Sequence, residues 1–259
     1  MSEGSLLLNL QTVQSGALRT VIEVLKDVLN DINIVFDPNG MKIVSMDGSH
    51  SALVSMHLFA DRFETYYCPT KINVGISIAS LHKLMKTISN SDTVTFKIYE
   101  KNTNELHLCI QNADRNCSTT FKLKLLDIDT SEIEVKETDI NCIVTMPSND
   151  FQRLCREMSN ISDIVNITCD NKTLTFSCEG DFANQETIIG EATHGLIFNK
   201  YDIQHKISEN FALKYINLFT KSTNLCNTIE INLKSQYPLI LKYNVANLGE
   251  IRFALAPKV

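Results

Sequence analysis

Residues 150–158 read DFQRLCREM, and this short stretch indicates how the chain is built. Its apolar residues recur at the spacing of one helical face: Phe151, Leu154, Cys155 and Met158. The segment therefore predicts a short amphipathic helix, with Arg153 and Arg156 off its apolar face. The chain carries 24 Lys and Arg against 30 Asp and Glu, a net charge of −6, so this basic pair requires an explanation.

The composition is that of a folded chain with a substantial core. Its 259 residues are 44% hydrophobic, which allows one large or two average domains. No apolar run approaches the roughly 18 residues of a membrane span, so no membrane contact is expected. The N-terminal segment MSEGSLLLNL lacks the basic start and long apolar stretch of a signal peptide.

Cysteine and histidine spacing favours neither disulfides nor a metal site. The eight cysteines show no CxxC pattern and most lie in apolar stretches, which predicts buried free thiols in a reducing compartment. The six histidines are scattered and form no HExxH motif. We therefore expect no zinc, no other metal and no cofactor.

The hydrophobic pattern predicts an α+β chain with an internal duplication. Four amphipathic helices are predicted at 15–31, 77–90, 150–160 and 211–223, and the segments between them alternate in the manner of strands. Helices one and three start near Ser15 and Ser148, and helices two and four near Ile78 and Phe211; both pairs lie 133 positions apart. The predicted domains are 1–126 and 142–259, joined by a connector at 127–141 that carries six acids and one lysine.

Each predicted helix carries a basic pair off its apolar face. The pairs are three or seven positions apart, which keeps both members on one side of a helix: Arg19 with Lys26, Lys83 with Lys86, Arg153 with Arg156, and Lys214 with Lys221. Any one pair alone is typical of a solvated surface. Four pairs in an acidic chain predict a shared electropositive surface for phosphate, and the absence of interleaved aromatic residues disfavours single-strand stacking.

From about Leu10 to Val259 the chain resembles the proliferating cell nuclear antigen family, the eukaryotic-type DNA sliding clamps. Its most specific stretches are EVLKDVLND, VSMDGSHSALVSM, LLDID, VTMPSNDFQRLCREMSNISD, FALKYINLFTKST and LAPKV. The resemblance implies the DNA clamp fold, a homotrimeric ring with antiparallel sheets outside, and helices that line a channel around double-stranded DNA. The eight bases would then face the phosphate backbone. This would explain why an acidic chain carries Arg153 and Arg156 off the apolar face of their helix.

The same resemblance implies a partner site beneath the connector. In the family, DNA polymerases and other partners insert a peptide with an aromatic–aliphatic plug, and a clamp loader places the ring on DNA. The matching positions form two walls and a base: Met46, His50 and Leu53; Ile133 and Val135; and Pro238, Ala256 and Pro257. Without the resemblance, Met46, Leu53 and Pro238 indicate core or turn packing, and His50 near Asp47 indicates a turn histidine better than an acid–base pair.

Several positions depart from the family pattern. Ile140 and Ala254 replace aromatic residues and Ser51 replaces an aliphatic one, which predicts a reshaped partner pocket. Asn171, next to Lys172, replaces the lysine that the family modifies. The expected subunit edges contain Phe121 on one side and Phe182 with Gln185 on the other, and Gln185 replaces a glycine.

Other interpretations stay open at this point. The chain could belong to a heterotrimeric or checkpoint-type clamp, or be a monomeric processivity factor. A Mg²⁺-dependent nuclease would use acid pairs such as Asp127 with Asp129 and Glu132 with Glu134, but these lie in the connector without supporting bases. We therefore predict no enzymatic activity, and a nuclear location or, for a viral protein, a cytoplasmic replication site.

Overall fold

The computed structural model describes residues 5–129, 133, 138–202 and 206–258. The chain divides into two compact units, each made of three segments. The first unit contains Met1–Gly48, Val54–Ile133 and Asn244–Ile251, and the second contains Ser49–Leu53, Glu134–Tyr243 and Arg252–Val259. The domain boundaries expected at 126/127 and 141/142 stay a prediction.

The N-terminal half contains nine strands and two α-helices among its described residues. In chain order they are β1 Leu6–Thr12, α1 Ser15–Val28, β2 Asp31–Asp37, β3 Gly40–Met46, β4 Ala52–Phe59, β5 Thr65–Tyr67, β6 Ile72–Ser77, α2 Ile78–Met85, β7 Thr93–Tyr99, β8 Asn102–Asn112 and β9 Cys117–Lys124. A short 3₁₀ turn, Ala60–Arg62, precedes β5.

The described part of the C-terminal half repeats this order of elements. It contains β10 Cys142–Pro147, α3 Ser148–Ser159, β11 Ile164–Asp170, β12 Thr173–Glu179, β13 Asn184–Gly190, β14 Ile197–Tyr201, β15 Ile207–Ala212, α4 Leu213–Phe219, β16 Thr228–Leu233, β17 Leu239–Val245 and β18 Gly249–Leu255. A 3₁₀ segment, Thr220–Leu225, extends α4.

Strand pairing repeats as well. The order β5-β1-β7-β8-β9 in the first half recurs as β14-β10-β16-β17-β18, and β6-β2-β3-β4 recurs as β15-β11-β12-β13. These strands pair antiparallel, for example β1 with β7 and β11 with β12. The predicted α+β architecture of two similar halves is therefore confirmed.

The two sequence periods explain why these segments form these elements. In β2, Ile32, Ile34 and Phe36 are buried and alternate with more exposed residues, as expected for a strand with one face on the core. In α1, the buried positions follow the helical repeat: Leu18, Val21, Ile22 and Leu25. In each unit the two helices pack against each other, α1 on α2 and α3 on α4.

Each helix differs from its predicted bounds: α1 ends at Val28 rather than Asp31, α3 spans Ser148–Ser159 rather than 150–160, and α2 and α4 show the larger differences. Helix α2 ends at Met85 rather than Asn90, because the Ser89 amide donates to Asp92 Oδ2 (2.8 Å) in a turn that competes with helix. Phe211 was predicted to begin the fourth helix, yet it belongs to β15, where it pairs with Val165 and is buried. Helix α4 therefore begins at Leu213, and the interval from α2 to α4 is 135 positions rather than 133.

The cysteines are free thiols, and five of them are buried: Cys68, Cys142, Cys155, Cys169 and Cys178. Cys109 and Cys226 are half-buried and Cys117 is exposed, so burial holds for most of the cysteines, those that the pattern placed in apolar stretches, but not for all. Within the described ranges, none of the helices combines the length and the apolar character required to span a bilayer.

Candidate functional site

A serine hydroxyl fixes each helix pair. Ser15, the first residue of α1, is fully buried and its Oγ donates to the Ser89 carbonyl beyond α2 (2.9 Å). Ser148, the first residue of α3, donates in the same way to the Cys226 carbonyl beyond α4 (2.7 Å). Sequence reasoning missed both contacts, although the 133-residue interval between Ser15 and Ser148 was a signal for them.

A second side chain repeats this connection four positions later. The Arg19 guanidinium donates to the Ile88 carbonyl and to Asn90 Oδ1 (3.1 Å for the latter). Gln152, 133 positions further on, donates through Nε2 to the Thr220 carbonyl (2.7 Å). Arg19 is half-buried, and its guanidinium already donates to residues that follow α2. This distinguishes it from the other predicted phosphate contacts.

An acid stabilises the turn that receives these contacts in the first unit. Asp92 is buried, and it accepts hydrogen bonds from the Ser89 amide (2.8 Å) and from Asn112 Nδ2 (2.6 Å). The Ser89 amide in particular lowers the pKa of Asp92 below its ordinary value, because it stabilises the ionised carboxylate.

Most of the predicted phosphate-contacting bases have exposed side chains near the helices. The exposed ones are Lys83, Lys86, Arg153, Arg156, Lys214 and Lys221. Lys26 is half-buried and forms an ion pair with Asp27 (3.1 Å). The Lys214 ammonium lies 4.9 Å from the centroid of the Tyr215 ring, a cation–π contact that leaves the residue exposed.

The two arginines of α3 differ in their contacts. Arg153 forms an ion pair with Asp150 one turn earlier (3.1 Å), whereas Arg156 has no ion-pair partner among the residues that the structure describes. Since both arginines are exposed, Arg156 offers the more available cation. The helices thus present cations suited to neutralising phosphate charge without reading base sequence.

The predicted partner-site residues fall in both units. Met46 and Ile133 are half-buried and belong to the first unit. Within the second unit, the Ala256 amide donates to the Ser51 carbonyl (2.9 Å), which holds the C-terminal segment against the segment that carries His50. Leu53, Pro238 and Pro257 are half-buried, and Ala256 is exposed.

His50 has the geometry of a turn residue. It is exposed and has a positive φ of 55°, a conformation typical of tight turns. Val135, the remaining predicted partner-site residue, lies outside the described residues.

The predicted subunit-edge residues lie on or just before two strands that end their sheets among the described strands. Strand β9, with the half-buried Phe121, is the last strand of the order β5-β1-β7-β8-β9. Strand β13, with Gln185, begins the order β13-β12-β11-β15, and Phe182 just before it is 77% exposed. Ile188 on β13 is also 63% exposed, so this edge presents exposed apolar side chains.

The acid pairs considered for a nuclease gain no support. Asp127 and Asp129 are exposed at the start of the connector, and Glu132 and Glu134 lie outside the described residues. In the part of the chain that the structure describes, no group of three His, Cys, Asp or Glu residues is arranged to hold a metal ion.

Comparisons with known proteins agree with this architecture. The family model described as proliferating cell nuclear antigen, N-terminal domain, matches residues 7–133, and its C-terminal counterpart matches residues 134–258. A probable DNA polymerase sliding clamp 1 of Paramecium bursaria Chlorella virus 1 is 34% identical over 261 residues, covering 99% of each chain. The chain therefore belongs to the proliferating cell nuclear antigen family of DNA sliding clamps.

Proposed function

We propose that this sliding clamp, a polymerase processivity factor by its family, works as a closed ring of three identical chains around duplex DNA and catalyses no reaction itself. The observation that carries the proposal is the set of exposed bases on the helices of a chain whose net charge is −6. Such bases attract phosphate, while the acidic remainder repels DNA. A closed ring would then remain on DNA through topology, and contacts that ignore sequence would let it slide.

Edge-strand pairing supports the trimer. Among the strands that the structure describes, β9 and β13 each pair with a neighbour on one side only, and an unpaired edge is a template for a second chain. Exposed charges on the two edges are complementary: Lys122 and Lys124 on β9, and Glu186 on β13. We propose that β9 of one copy pairs with β13 of the next.

The partner site is proposed on the same basis. A peptide with an aromatic–aliphatic plug would dock against the segment carrying His50 and the C-terminal segment carrying Ala256 and Pro257, with anchors supplying most of the affinity. DNA polymerase and a clamp loader are the expected partners. Because one relative is a viral protein, we propose a site of DNA replication as the location, in a nucleus or in infected cytoplasm.

The native molar mass, measured by light scattering over a dilution series, tests the ring. We expect three times the 29.2 kDa of one chain. Glu186→Lys should weaken assembly, and combining it with Lys122→Glu and Lys124→Glu should restore part of it. A monomer at every concentration would overturn the homotrimer, and a stable complex only with a different clamp chain would favour the heteromeric alternative.

Salt-dependent binding to a short labelled duplex tests the DNA interaction. If Arg156 neutralises one phosphate, Arg156→Ala should make the slope of log K against log salt shallower by about 0.9. Arg153→Ala should change the slope less, because Arg153 is paired with Asp150. Lys172→Ala, at an exposed base on a strand turn, serves as the control, and equal slopes for Arg156→Ala and the control would contradict the proposal.

A further inference from the structure

We infer that Tyr237, Lys234 and Lys200 form a clasp that holds the C-terminal end of the connector, Thr138–Asp139, and thereby positions the partner-peptide site. The inference rests on the proposed function, because it concerns the site at which a peptide would bind. All five residues belong to the second unit.

Three contacts converge on two connector residues. The Tyr237 hydroxyl donates to Thr138 Oγ1 (3.0 Å), and the Lys234 ammonium donates to the Asp139 carbonyl (3.1 Å). The Lys200 ammonium, from β14, lies 2.6 Å from Asp139 Oδ1. The connector end is thus held from the segment before β17 and from an edge strand at the same time.

The three contacts differ in strength. Tyr237 and Thr138 are half-buried, so water competes less for their hydrogen bond. The Lys200–Asp139 pair is exposed, with 82% of the Asp139 side chain accessible, and exposed ion pairs contribute little. The Lys200 hydrogen bond lowers the pKa of Asp139, because it stabilises the ionised carboxylate. Tyr237 is therefore the principal positioning residue of the clasp.

The clasp also links the connector end to the predicted base of the partner pocket. Tyr237 immediately precedes Pro238, a base residue of the predicted pocket. The hydrogen bond from Tyr237 to Thr138 therefore connects this base to the connector end. Lys234 lies 5.8 Å from the Tyr237 ring centroid, which adds a weak cation–π contact inside the clasp. A connector end that is already ordered costs less conformational entropy when a peptide binds, so the clasp should raise peptide affinity.

Tyr237→Phe tests the clasp because it removes only the hydroxyl. The probe is a fluorescein-labelled synthetic peptide with one aromatic and one aliphatic residue on one helical turn. We expect Tyr237→Phe to raise Kd about three- to tenfold, the effect of one hydrogen bond. Lys200→Met should raise Kd about twofold at low salt and leave it unchanged at high salt. Tyr67→Phe, at an exposed tyrosine of the first unit, is the matched control.

Hydrogen exchange of the amides at 138–141, measured without peptide, provides the second readout. Faster exchange there in Tyr237→Phe, with unchanged exchange in α3 and α4, is expected. Unchanged exchange together with unchanged Kd would overturn the clasp. If the wild-type protein binds no peptide, the proposed partner site fails, while the exchange experiment still decides whether the clasp exists.

Discussion

The helix pairs of the two units share a scaffold but carry different charges. In both, a buried serine at the start of the first helix and a longer side chain four positions later donate to carbonyls beyond the second helix. At the second of these positions the first unit has Arg19 and the second has Gln152. The shared element is therefore a hydrogen-bond donor, and a positive charge is not required there.

The bases that remain exposed follow this repeat in only one case, Lys86 with Lys221. The positions 133 residues before Arg153 and Arg156 are Thr20 and Glu23, so the basic pair of α3 has no counterpart on α1. Lys86 and Lys221 do correspond, at the 135-residue interval that separates α2 from α4. Core and helix contacts are thus duplicated, while the charged surface of each unit is largely its own.

The buried serines should show the largest effect on stability. Ser15→Ala and Ser148→Ala should each lower the free energy of unfolding by about 1–2 kcal/mol, because each removes a buried hydroxyl that donates to a backbone carbonyl beyond the second helix. Urea unfolding followed by circular dichroism measures this, with the exposed Ser235→Ala as control. Hydrogen exchange should show weakened protection in α1 and α2 for the first variant and in α3 and α4 for the second. If each variant lost protection equally in all four helices, the serine contacts would not act separately in the two units.

Arg19 provides a sharper test, because Gln152 shows which replacement should be tolerated. Arg19→Ala should cost about 0.5–1.5 kcal/mol, whereas Arg19→Gln should retain most of the stability through the same carbonyl contact. Neither should alter the salt dependence of DNA binding as much as Arg156→Ala does. A fall in the salt slope for Arg19→Gln equal to that of Arg156→Ala would instead identify Arg19 as a phosphate contact.

Acid sensitivity should differ between the units. The lowered pKa of Asp92 means that it stabilises the folded state above its unfolded pKa and loses this effect as pH falls through the lower, folded value. The position 135 residues later is Asn227, which does not titrate. Asp92→Asn should be less stable at neutral pH and should lose less stability than the wild type on acidification below about pH 4. Parallel curves of Tm against pH for the two proteins would contradict this role.

The smallest expected effect comes from adding a base to α1. Glu23 is exposed at the position equivalent to Arg156, so Glu23→Arg should steepen the salt slope by about 0.9 if the new arginine reaches one phosphate, with little change in stability. Glu179→Arg, on β12, makes the same charge change on a strand. A similar slope for both variants would show that net charge, rather than position on a helix, governs DNA binding.

Much of the fold was predictable because hydrophobic periodicity reports which face of an element is buried. The buried residues of α1 and the alternation in β11 and β12 follow directly from it. The boundary at Phe211 was not predictable, since an aromatic residue before an amphipathic run fits a strand end or a helix start equally well. Pairing with Val165 decided it.

The sequence predicted which residue types form the candidate site, but not which side chains contact one another there. Spacing identified Arg153 and Arg156 as an exposed pair, but only the structure shows that Asp150 engages the first. Lys200, Lys234 and Tyr237 are far from Asp139 and Thr138 in sequence, and no local pattern connects them.

The amino-acid sequence by itself determined the family, the duplicated α+β order and the positions of the helical bases, because these depend on local periodicity and residue type. Tertiary structure alone decided that Arg19 is occupied by the Ile88 carbonyl, which strands end their sheets, and what holds the connector end. Those features depend on residues that meet across about 60 positions of the chain or more, such as Lys200 with Asp139. Residue spacing along the sequence does not predict contacts over such distances.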